Sequence, residues 1–160
     1  MAESQAEAAA ALHADNLAAA RTLYARSLGE AAREDGPPAL WLFAATSLLG
    51  LVHCEPSRAS AHARAALSWA RRHHAKMPSE ASLELLMKAA TVLAARAAPQ
   101  DLASGLQDAI AALEPERDDP LVAKVLGGLR LQLASRGNPF RPGISSGSFL
   151  STVAGERHVG

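Results

Sequence analysis

A single cysteine, Cys54, stands in the 160 residues. No intrachain disulfide can form, which fits a reducing compartment. Aromatic residues are only 4 % of the chain: Tyr24, Trp41, Phe43, Trp69, Phe140 and Phe149. Val, Ile and Thr are also sparse. Strands draw on those residue types, so their shortage argues against a sheet. Net charge is lacking as well, with 16 basic and 16 acidic side chains. A balanced chain exerts no general pull on nucleic acid or on an anionic membrane, and neither is an expected partner. The longest apolar stretch, Pro38 to Val52, is too short to cross a bilayer. Met1-Ala2-Glu3-Ser4 begins no basic and then apolar leader, so a cytoplasmic protein is the expectation. No Cys-x-x-Cys, His-Glu-x-x-His, P-loop or Gly-x-Gly-x-x-Gly pattern occurs. From these absences no enzyme, cofactor or metal is expected.

What the chain does hold is alanine and leucine. Hydrophobic residues make up 49 % of it, and both dominant types favour helix. The prediction is an all-α protein, built from close helix contacts with thin side chains and only modestly stable. The Ala/Arg/Gly-heavy composition also suggests a high-GC bacterial coding sequence. Proline divides the chain, because a proline inside a helix costs about 3 kcal/mol. Pro37-Pro38, Pro56, Pro78, Pro99, Pro115 and Pro120 bound about seven segments of helical length. These run over 2–13, 15–33, 38–53, 57–75, 79–97, 101–113 and 120–136. Ser57 is read as an N-cap of the fourth. Asp119 caps the seventh, with Pro120 at its first position. The third helix is apolar nearly all round and so is expected to be buried on several sides. Residues 1–136 form the helical domain. Residues 137–160, rich in Gly, Pro and Ser, are read as an irregular tail or strap.

A repeat runs through the even-numbered helices. Ala20, Tyr24 and Ser27 match Ala63, Leu67 and Ala70, then Gly105, Ala109 and Ala112. The first members are 43 and 42 residues apart. A small residue at each step lets a paired helix come close, and the residues a turn later fill the layer. Together with Leu49-Gly50-x-x-His53 on the third helix, this resembles the tetratricopeptide repeat. That family pairs a helix A bearing Leu-Gly-x-x-aromatic with a helix B bearing Ala-x-x-x-aromatic-x-x-Ala. The resemblance implies an antiparallel helix-hairpin array, a tetratricopeptide-like α-solenoid, over residues 2–136. In this setting Gly50 and Ala63 would bring the third and fourth helices together. The seventh helix would cover the last pair with a stripe of Val122, Leu126, Leu129 and Leu133.

The same resemblance implies that the A helices line a concave surface that receives an extended peptide or a partner helix. Polar residues on those helices are the candidate contacts: Thr46 and Ser47 on the third, and Glu84, Lys88 and Thr91 on the fifth. Glu84 and Lys88 are also spaced as an ordinary surface ion pair. Arg71 and Arg72, in the basic run Ala70 to Lys76, are candidates for an acidic partner or for phosphate. The same cations suit a helix C-terminus. In the tail, Phe140, Arg141 and Phe149 could fill the chain's own groove, dock into a neighbouring subunit, or bind a partner by folding on contact. The expected function is a non-catalytic interaction module (adaptor, scaffold or chaperone) with another protein or peptide as partner and self-association through the tail as an option. Two alternatives stay open. One is a metal-binding protein or enzyme using His53, Cys54 and His62. The other is a nucleic-acid-associated regulatory domain using Arg71, Arg72 and Lys76. Acids at Glu114, Glu116, Asp118 and Asp119 form an opposing patch suited to head-to-tail association.

Overall fold

The computed structural model describes residues 1–136. The proposed tail, including Phe140, Arg141 and Phe149, lies outside them. Seven α-helices and no strand occur among the described residues: α1 (Ala2–His13), α2 (Leu17–Ala31), α3 (Pro38–Cys54), α4 (Ala59–Lys76), α5 (Glu80–Arg96), α6 (Leu102–Leu113) and α7 (Pro120–Arg136). Single 3₁₀ turns at Pro56–Arg58, Pro99–Asp101 and Glu114–Glu116 lead into α4, α6 and α7.

Local chemistry sets the helix ends. Asn16 Oδ1 accepts the Ala19 N–H at 3.2 Å and caps α2. The preceding residue, Asp15, takes a left-handed conformation with φ 57° to turn the chain out of α1. Ser79 and Ser82 form a reciprocal capping box at the start of α5. Asp119 Oδ1 accepts from the Leu121 and Val122 N–H groups at 2.9 and 3.2 Å, as its N-cap position requires. Ser57 does not cap α4. It sits inside the Pro56–Arg58 turn, and the helix begins two residues later with no side-chain cap.

Each helix packs chiefly on its neighbours in sequence. Weaker contacts join α1 to α3, α3 to α5, α5 to α7, and α4 to α6. The apolar interior is divided. A large cluster drawn from α3 to α7 includes Leu49, Leu67, Leu86, Leu93, Leu106, Leu113 and Leu126. A small one holds only Ala8, Ala20, Tyr24 and Leu51, with Leu28 packed against both. All nine matched repeat positions are buried, from Ala20 through Ala70 to Ala112. On α7, Val122, Leu126 and Leu129 are buried and Leu133 packs against the large cluster, as the stripe predicts.

Gly50 corrects one expectation. A Cβ at that position would lie 2.4 Å from the ring of Tyr24, so α2 rather than Ala63 of α4 occupies the space. Gly105 does bring α6 close to α5, with Ala97 Cβ 3.1 Å from where its own Cβ would stand. Gly127 and Gly128 face open space, and α7 runs through both.

Candidate functional site

One of the two candidate polar residues of α3, Ser47, turns inward. Ser47 is 0 % exposed, and its hydroxyl accepts a hydrogen bond from Gln5 Nε2 at 2.8 Å. The same amide donates to the Phe43 carbonyl at 2.8 Å and lies 3.3 Å from Ser27 Oγ. One glutamine of α1 thus ties α2 and α3 together. Thr46 is half-buried and donates to the Leu42 carbonyl of its own helix at 2.8 Å. Ser47 therefore does not face a groove, because a polar residue in an apolar helix must satisfy its hydroxyl inside the fold.

On α5 the stripe stands where a partner can reach it. Glu84, Lys88 and Thr91 are exposed, and Glu84 and Lys88 form no ion pair with each other. One further turn gives exposed Ala95. There the stripe runs into a groove between the C-terminal half of α5 and the length of α7 from Lys124 to Arg136. The groove comprises two adjoining hollows of about 270 and 660 Å³ that share Ala94, Ala95 and Gln132. Thr91, Lys124 and Val125 line the first; Leu102, Leu131 and Arg136 line the second. Leu131 is 64 % exposed and Leu121 of the same helix 65 %, the two most exposed large apolar side chains among the described residues.

Arg71 and Arg72 lie on α4, at a separate open cleft of about 530 Å³ that also involves Arg64, Ser68 and Asp108. Most of its charge is already answered. Arg64 pairs with Asp108 and donates to Ser104 Oγ; Arg72 pairs with Glu34 at 3.0 Å and lies 5.2 Å over the Trp69 ring. Arg71 makes no ion pair among the described residues. Lys76, the remaining cation of that run, is exposed at the end of α4. The acidic patch is also used internally. Glu114 pairs with Arg117 and Arg130, Glu116 lies 2.9 Å from His74 Nε2, and Asp119 caps α7.

His53, Cys54 and His62 do not assemble. His53 is exposed, whereas His62 is buried with Nε2 3.1 Å from Glu55 Oε1. That carboxylate also holds Arg21 at 3.5 Å and Arg58 at 3.9 Å. No group of three or more metal-ligating side chains converges among the described residues. Burial pushes the Cys54 thiol above its ordinary value, Glu55 adds to the rise, and Arg21 opposes it. A thiol held protonated is a weak nucleophile.

Two arrangements with a catalytic look went unread in the sequence. His74 Nδ1 lies 2.7 Å from Ser82 Oγ, which together with Glu116 gives the composition of a hydrolase triad. Ser82 is only 1 % exposed, accepts the Ser79 N–H and donates to the Ser79 carbonyl. It is a buried joint between α4, α5 and the turn before α7, out of a substrate's reach. Gly143-Ile144-Ser145-Ser146-Gly147 has the spacing of a nucleophile elbow. Such an elbow works at a strand-to-helix turn; the motif lies outside the described residues, among which no strand occurs.

No family model, no curated protein and no solved structure matches the chain. Among the described residues no helix is long and apolar enough to cross a membrane.

Proposed function

We propose that the chain is a non-catalytic interaction module, a tetratricopeptide-like array of antiparallel helix hairpins. It binds an extended peptide or a helix of another protein along α5. The observation that supports this reading is the exposed line Glu84, Lys88, Thr91, Ala95, which opens into the groove between α5 and α7. A line of three polar positions that ends in a small one beside a partly apolar hollow suits a ligand that hydrogen-bonds along its length and anchors a side chain at one end. Contacts between helices one and two apart in sequence agree with an array, whose neighbours meet in succession. No covalent step is involved, and the role is that of an adaptor, scaffold or chaperone. Affinity capture from the native host with the full chain and with Lys88→Glu/Thr91→Arg tests it. A captured protein should be depleted at least tenfold by the double variant, whose helical circular dichroism stays unchanged. Equal capture by both would remove α5 as the binding face.

A further inference from the structure

We propose that the groove between the C-terminal half of α5 and α7 is the seat of this chain's own C-terminal segment, with the stretch from Phe140 to Val153 laid back along it. The proposal goes beyond the partner-binding reading and stands or falls without a partner. Three observations carry it. First, the described chain ends at the groove: Ser135 and Arg136 line its larger hollow. Second, the lengths agree. The α7 wall from Val125 to Ser135 is roughly 15 Å long at the helical rise. Four residues beyond Arg136, Phe140 reaches at most about 14 Å, and Phe149 reaches past the far end with slack for a turn. Third, the surfaces are complementary. Ala94, Ala95 and Ala97 leave room where larger side chains would fill the hollow, and Leu131 is exposed beside it. The segment offers Phe140, Ile144, Phe149 and Leu150 among glycine, proline and serine, and brings no carboxylate before Glu156. Seating it would cover apolar surface that α7 otherwise leaves open and would bury no acidic group. The tether supplies an effective concentration of order millimolar, so weak contacts suffice.

The test uses the full chain in a Cys54→Ser background. One variant carries Ala95→Cys with Ser148→Cys. The control carries Thr22→Cys with Ser148→Cys, since Thr22 is exposed on α2. Under mild oxidation at low micromolar concentration, the first pair should form an intrachain disulfide at least tenfold faster than the control. Adding Leu131→Glu should remove most of that difference. Equal rates for the two pairs, or crosslinking only between chains, overturn the proposal; the latter outcome would give the groove to a second copy. A second readout needs no engineered cysteine. In Phe140→Ser/Phe149→Ser, amide exchange should quicken at Ala94–Ala97 and Leu131–Arg136 and nowhere in α2 or α3. Unchanged exchange at those amides also overturns it.

Discussion

Gln5 shows how much one side chain can hold. It reaches a carbonyl and a hydroxyl of α3 and approaches a hydroxyl of α2, while α1 buries only Ala8 as a core residue. Gln5→Ala removes the donor from buried acceptors, which costs about 1–3 kcal/mol. The expected outcome is a lower urea midpoint with the helicity of α1 lost first. No pattern in the sequence points to Gln5, because its acceptors lie about forty positions away and a lone glutamine in an alanine-rich helix has no period. Tyr24, by contrast, was legible as a repeat position. Burial raises its phenol above the ordinary value of 10.0, with Cys54 adding to the rise. The folded chain therefore keeps the phenolic proton to higher pH than the unfolded chain does. The resulting stabilisation is whole below the ordinary phenol value and is lost as pH climbs through the raised one. Urea midpoints measured from pH 8 to pH 11 should fall more steeply for the native protein than for Tyr24→Phe. Ser47 was misread because the sequence shows only that a polar residue interrupts an apolar helix, and internal bonding interrupts it just as well as a binding face does.

Among elements, glycine separates two kinds of helix. In α3, Gly50 is a contact: the Tyr24 ring occupies the place of its side chain. Gly50→Ala gains about 1 kcal/mol of helix propensity but forces the ring or the helix to move. Overpacking of that kind costs typically about 1–3 kcal/mol and more when the neighbour is rigid, so the net change should be a loss. In α7, a Cβ added at Gly127 or Gly128 would meet nothing within 4 Å, so Gly127→Ala and Gly128→Ala should each raise stability by up to about 1 kcal/mol. Thermal melts of the three variants check both signs at once. The helices themselves were plain from the prolines, and the boundaries move by only a residue or two. What the spacing could not give was Gly50's neighbour. Periodicity assigns a residue to a face, and only packing decides which helix covers that face. The 3₁₀ turns before α4 and α6 were missed for a related reason: proline suits the first position of either kind of helix.

At the scale of the whole molecule, the two apolar clusters are unequal. The small one holds two alanines, Tyr24 and Leu51, and the large one collects most of the buried leucines of α3 to α7. Native-state amide exchange should show α1 opening with a free energy about 2 kcal/mol or more below that of Leu93 and Leu106. Equal protection in α1 and α5 would mean that the division has no energetic weight. The all-helical class was evident in composition, and the exposed line on α5 in its spacing. The groove beside it was not, because a hollow belongs to two helices at once and neither sequence segment contains it. A mechanical consequence follows from helices that meet in succession around unequal interiors. Stretched between handles at Met1 and Arg136, the molecule should not rupture in one event: α1 would peel away at low force, Tyr24 would then slip off its glycine, and the main resistance would come only when α3 parted from α4.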